Sequence, residues 1–206
     1  MKALLLVDLQ NDFFPGGTLP VPEGDQIIPT INALLDMDWD VIVASKDWHP
    51  ANHKSFASEH EKDVGDIIKL QGVDQILWPD HCVQKSKGAE FYPGWDITLI
   101  DKIVFKGTDP LIDSYSAFFD DGHRRSTGLN EFLKEYQITD VYCAGLATDY
   151  CVRSTVLDAL ELGYKTFVVT DGIRGVDLSP NDSQKALDEM NRNGAIMITL
   201  HQLLNE

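Results

Sequence analysis

Six short runs of apolar, mostly β-branched residues restrict what this chain can fold into: ALLLV (3–7), VIVAS (41–45), KIVF (102–105), VYCAG (141–145), TFVVT (166–170) and AIMIT (195–199). None alternates polar with apolar, as a strand with one wet face would. Each is continuous, as a strand covered on both faces requires. Helix-period segments lie between most of them. GDQIIPTINALLD (24–36) carries a proline near its start, and GLNEFLKEYQ (128–137) puts Leu129, Phe132, Leu133 and Tyr136 on one face. TDYCVRSTVLDALELG (148–163) opens on a Thr-Asp capping signal, with Thr148 as the N-cap, and closes on glycine. SPNDSQKALDEMNRNG (179–194) is bounded in the same way, and LHQLLNE suits a final turn. Strand alternating with helix predicts an α/β fold of three layers, α/β/α, around a central, mainly parallel six-stranded sheet.

One segment breaks the rhythm. From Asp47 to Asp101 there is little periodicity but much Trp, His, Pro and Gly. A compact domain rarely tolerates so long an irregular stretch unless it builds a site. No repeat, low-complexity tract or linker divides the 206 residues, so 1–206 reads as a single domain with a long insertion at about 47–100. The formal net charge of −16 argues against nucleic acid and against an anionic membrane surface as partners. The first apolar run stops at Asp8, too short for a signal peptide, and no run reaches the roughly 18 residues that span a bilayer. The three cysteines, Cys82, Cys143 and Cys151, are too few and odd in number for a disulfide framework. A reducing compartment fits them, and the predicted location is cytoplasmic. The oligomeric state is not fixed by the sequence, and a homo-oligomer stays open.

In open α/β sheets ligands bind beyond the carboxyl ends of the strands. Asp8 follows the first run. Lys46, Asp47, Trp48 and His49 follow the second, Lys106 the third, and the loop to Cys151 the fourth. If these strands are neighbours, a carboxylate, a metal-ligand pair, an ammonium and a thiol converge. Cys151 falls in the first turn of its helix, where the dipole and free N–H groups favour a thiolate and can hold an oxyanion. Cys143, in mid-strand, reads instead as a small buried hydrophobe. Asp8 is placed to act as base toward the thiol, and Lys106 to balance charge between them. DWHPANH contributes Asp47, His49 and His53, and WPDHC adds His81. Imidazole with carboxylate suits Zn²⁺, Fe²⁺ or Mn²⁺, and three loop ligands leave positions for water or substrate. Phe13, Trp78 and Tyr115 are aromatics near these groups that can wall a small flat substrate. His60, His123 and His201 read as surface residues.

VDLQNDF, SKDWHPANHKSFA, WPDHCVQ, VFKGTD and GLATDYCV together resemble the nicotinamidases of the isochorismatase-like cysteine hydrolases. The resemblance spans residues 7 to 152, in order, and the elements that follow also fit. It implies the isochorismatase-like hydrolase fold and conversion of nicotinamide to nicotinate and ammonia through a thioester, with pyrazinamide as a further substrate. Asp8, Lys106 and Cys151 would be catalytic, with Cys151 the nucleophile. Asp47, His49 and His81 would bind one divalent metal ion, Zn²⁺ foremost, with His53 as an additional candidate. Ala147 and Cys151 would supply the oxyanion hole, next to a cis peptide between Leu146 and Ala147. Phe13, Trp78 and Tyr115 would bind the ring, and Tyr150 stands where relatives differ. Salvage of the pyridine cofactor is the role that goes with this reaction. A related hydrolase acting on another small amide or a vinyl ether is the alternative. A signalling receiver domain also sets a carboxylate and a lysine at strand ends, but needs an acidic pair after the first strand, where this chain has Leu9, Gln10 and Asn11.

Overall fold

Every one of the six apolar runs becomes a strand. The computed structural model describes residues 1–205. Among these, the strands are β1 (Lys2–Val7), β2 (Val41–Asp47), β3 (Ile67–Leu70), β4 (Val73–Ile76), β5 (Lys102–Lys106), β6 (Asp140–Leu146), β7 (Lys165–Arg174) and β8 (Ile196–Ile198). The α-helices are α1 (Ile28–Leu35), α2 (Leu129–Glu135), α3 (Arg153–Glu161), α4 (Asp182–Arg192) and α5 (Leu200–Leu203). The central sheet runs β5-β2-β1-β6-β7-β8, and each of its neighbouring pairs is parallel.

Continuous apolarity has its cause in two cores, one on each face. Leu4 and Leu6 of β1 pack with Ile31 and Leu34 of α1 and Leu203 of α5. Ala3, Leu5 and Val7 pack on the opposite side with Leu129 and Leu133 of α2, Val156 and Ala159 of α3 and Met190 of α4. The helices thus form two outer layers. β5 departs from the expectation of burial on both faces. As an edge strand it buries Val104 and Lys106 while Ile103 and Phe105 stay exposed.

The strand order reverses beside β1. The chain moves outward from β1 to β2 and β5, then returns to place β6 on the other flank of β1. The crevice beyond β1 and β6 is therefore the topological switch point, where ligands of open α/β sheets bind. The two strands approach closely there. Val7 pairs with Gly145, whose φ is +123°, and a Cβ on Gly145 would lie 2.1 Å from Val7 O. Only glycine fits that crossing.

Two local expectations are corrected. Thr148 does not cap the helix. Residues Thr148–Val152 form a wide π-type turn leading into α3, with Val152 N–H bonded to Ala147 O at 3.0 Å. The irregular region also contains an antiparallel hairpin, β3–β4, turning at Gln71 and Gly72, both with positive φ. IIKL-QG-VDQI carries that signal, two short runs around a two-residue turn ending in glycine. No helix among the described residues is long and apolar enough to cross a membrane.

Candidate active site

Four adjacent strands deliver the chemistry to one edge. Asp8 leaves β1 in the left-handed region, φ 49°, which turns its carboxylate back under the sheet edge. There Ser45 Oγ of β2 donates to Asp8 Oδ1 at 2.6 Å. Asp47 ends β2 in register with Lys106 of β5, so the two side chains emerge side by side. The backbone of Asp47 is clamped by Gln10, whose amide donates to Asp47 O and accepts from Asp47 N, both at 2.7 Å. Cys151 rides on the turn after β6. The Leu146–Ala147 peptide before it is cis, as expected.

Lys106 is the hub. Its Nζ lies 2.8 Å from Asp8 Oδ2 and 3.3 Å from Cys151 Sγ, donates to Ser114 O at 3.0 Å, and makes a short contact with Asp47 Oδ1. A carboxylate oxygen from each of Asp8 and Asp47 and the Cys151 sulfur all lie within 4.8 Å of one another. All four side chains are buried. Burial disfavours the Lys106 ammonium, but Asp47 and Asp8 outweigh it and hold its pKa well above the ordinary value. Burial likewise opposes ionised Asp47, yet Lys106 and His49 hold its carboxyl well below the usual range. Asp8 is raised by burial, against Lys106. Burial also pushes the Cys151 thiol well up, with Lys106 opposing and the two carboxylates adding to the rise. Desolvation beside two carboxylates thus opposes the thiolate that a helix start favours. A thiol held in this way needs a base, and Asp8 adjoins it.

The histidines gather on the other side of Asp47. His49 Nδ1 lies 2.9 Å from Gly107 O and His81 Nδ1 lies 2.8 Å from Pro79 O. A carbonyl only accepts, so each Nδ1 carries the hydrogen and leaves Nε2 as the atom that can ligate a cation. Those two nitrogens sit 3.7 and 3.6 Å from Asp47 Oδ2. His49 Nε2 is buried and has no hydrogen-bond partner. An orphaned ring nitrogen facing a second imidazole and a carboxylate is the donor set a divalent cation satisfies. Gly107 makes the approach feasible, since a Cβ there would lie 2.3 Å from His49 Cε1. His53 is buried beside His49, but its Nδ1 meets Ser55 Oγ at 2.7 Å and its Nε2 lies 3.3 Å from Ile112 O. It groups with His49 and Asp113, not with Asp47 and His81.

Above the sulfur opens a narrow cleft of about 30 Å³, lined by Phe13, Leu19, Asp47, Trp78, His81, Asp113, Tyr115, Ala147, Tyr150, Cys151 and Val176. Phe13 is tilted against His81, Trp78 meets Tyr150 edge-on, and Trp78 Nε1 donates to Tyr115 Oη at 2.8 Å. Of the residues singled out in the sequence, Phe13, Asp47, Trp78, His81, Tyr115, Ala147 and Cys151 line this cleft, Asp8, Lys106 and His49 lie buried behind them, and His53 lies behind His49. His60 is half-buried, and His123 and His201 lie exposed. Other surface depressions, beside Arg153 and Glu189 or beside Asn11 and Gly17, gather no such set. The sequence reading did not find Asp113, Gln10 or Ser45. Asp113 sits in a loop without period, although DSYSAF following VFKGTD is a polar-aromatic run at a strand end.

The Isochorismatase domain model matches residues 2–202. The nicotinamidase of Escherichia coli (strain K12) is 52% identical over 204 residues, covering 97% of this chain and 95% of that protein. A solved Acinetobacter baumanii nicotinamidase and pyrazinamidase superposes with a TM-score of 0.94 at 44% identity, covering 98% of this chain and 97% of the other. The pyrazinamidase of Pyrococcus horikoshii, solved in complex with zinc, superposes with a TM-score of 0.77 at 37% identity, covering 96% and 98%.

Proposed function

The chain belongs to the isochorismatase family, and from that premise we propose that it is a nicotinamidase, hydrolysing nicotinamide to nicotinate and ammonia with Cys151 as nucleophile. One observation carries the assignment of roles. A single buried ammonium, Lys106, touches Asp8, Asp47 and the Cys151 sulfur, while the far oxygen of Asp47 faces two imidazole nitrogens. Asp47, His49 and His81 would hold one divalent ion, Zn²⁺ foremost, which when bound supplies a Lewis-acid anchor for the pyridine nitrogen and a more acidic water.

Asp8 takes the thiol proton. Burial raises the Asp8 carboxyl, which strengthens it as a base toward the thiol. Lys106, 3.3 Å from the sulfur, stabilises the thiolate as it forms. The sulfur attacks the carboxamide carbon, and the N–H groups of Ala147 and Cys151 hold the developing oxyanion. Asp8 returns its proton to the departing nitrogen as the C–N bond breaks, leaving a thioester. Asp8 then takes a proton from the attacking water, the C–S bond breaks, that proton passes to the departing Cys151 sulfur, and nicotinate leaves. Phe13, Trp78 and Tyr115 hold the ring flat. Pyrazinamide presents the same ring nitrogen and carboxamide and is expected to turn over.

Ammonia release tests this directly. Nicotinamide is expected to react, benzamide (which lacks the ring nitrogen) to react far more slowly, and chelator treatment to abolish turnover until metal is restored. Cys151→Ala is expected to release no ammonia while retaining metal. Undiminished activity in that variant, or equal rates on the two amides, would refute the assignment.

A further inference from the structure

The β3–β4 hairpin lies outside the central sheet, yet it sends one buried polar side chain toward the cleft. Gln75 is 3% exposed, although Asp74 beside it faces solvent. Its amide nitrogen donates to Ile76 O at 2.8 Å and stands 3.3 Å from both Asp113 Oδ2 and Tyr115 Oη. One N–H is thus spent inside the hairpin, and the other is shared between a carboxylate and a phenol. Both of those groups line the cleft. The hairpin tip is tied down as well, since Arg124 donates to Gln71 O at 2.7 Å.

Asp113 faces two ways. Its Oδ2 meets Gln75, while its Oδ1 receives the Ser114 N–H at 2.8 Å and lies 4.0 Å from His49 Nε2. Donor atoms of Asp113, His49 and His53 all lie within 4.8 Å of one another. Tyr115 Oη accepts from Trp78 as well as from Gln75, so the same amide also fixes an aromatic wall. We infer that Gln75 is a positioning residue for the hydrolysis, setting Asp113 against the histidine pair and Tyr115 against the bound ring. The inference rests on the metal-assisted amide hydrolysis proposed above. Gln75 reaches no reacting atom. Its loss acts on ground-state binding, and therefore on KM and on metal affinity before kcat.

The test uses Gln75→Leu, which keeps the approximate volume and removes the donor, with Asp113→Asn and the double variant. Two quantities are read: KM and kcat on nicotinamide, and the affinity of the metal-stripped protein for Zn²⁺ by competition with a chromogenic chelator. Residues that orient metal ligands are worth roughly 10- to 100-fold in affinity or activity, and Gln75 is one contact further out. Gln75→Leu is expected to raise KM roughly tenfold with kcat within about twofold, and to weaken Zn²⁺ binding by roughly tenfold. In Zn²⁺ affinity the double variant is expected to match Asp113→Asn alone, because the glutamine acts there through Asp113. Wild-type KM and Zn²⁺ affinity in Gln75→Leu, or fully multiplicative effects in the double variant, would overturn the inference. A lowered melting temperature alone would assign Gln75 a packing role only, and likewise overturn it. If Gln75→Leu does not fold, Gln75→Asn, which withdraws the amide by one methylene, carries the same expectations. Absence of turnover in the unsubstituted enzyme would sink the proposed function, while the Zn²⁺ measurements would still decide the role of Gln75.

Discussion

Lys106 shows how much one residue can hold together. It is 1% exposed and lies between two buried carboxylates and a thiol. Removing one partner of a buried ion pair leaves the other charged and dry, which typically costs about 3–5 kcal/mol. Lys106→Met is therefore expected to lose turnover and also to destabilise the fold by about that amount in urea unfolding near neutral pH. A variant as stable as the parent would mean that Asp8 and Asp47 do not depend on the ammonium. Asp8, Lys106 and Cys151 were legible because each follows a strand whose end is visible in the sequence. Asp47, His49 and His81 were legible from ligand chemistry and spacing. Asp113 and Gln75 left no comparable trace, since a loop carboxylate and a hairpin amide gain meaning only from what they touch. The depth of burial of Cys151 and the acids around it likewise come from tertiary structure and leave no mark in the sequence.

At the scale of elements, the pairing of β1 with β6 sets the distance between Asp8 and Cys151. Gly145 lets those strands cross, and an alanine there would bring Cβ against Val7 O in a backbone region that side chains avoid. Gly145→Ala is expected to destabilise the protein by about 3 kcal/mol or more and to cost activity even well below its melting temperature. Normal activity and stability would show that the strands can part without moving the site. The six strands of the sheet and most helices were readable from period and caps, because double-sided burial writes itself as unbroken apolar sequence. The β3–β4 hairpin is short and largely exposed, so its pattern was faint, and the wide turn after β6 has no sequence signature separating it from an ordinary capped helix start.

For the whole molecule, pH enters through a carboxyl away from the reacting atoms. Burial, and then the charge of Asp113, push Asp121 up to about 7, while its Oδ1 accepts the Tyr115 N–H at 2.8 Å. An unfolded aspartate titrates near about 3.9. The folded state therefore holds this proton more tightly, and the resulting stabilisation is full below about pH 4 and is lost as pH rises through about 7. Between pH 5 and pH 8 the melting temperature of the parent is expected to fall more than that of Asp121→Asn, which keeps the acceptor oxygen. Parallel curves would show that the group does not matter to the pH response. The α/β class could be read from element order, but the strand order, with β1 central and the chain turning back to β6, could not, because period records burial and not neighbours. That turning back bears on biosynthesis. Asp8 and Cys151 stand 143 positions apart (151 − 8) and join only when β6 takes its place against β1. A chain still emerging from the ribosome already carries the acid, the amine and the imidazoles but lacks the sulfur, so the enzyme stays inert at least until Cys151 has been made.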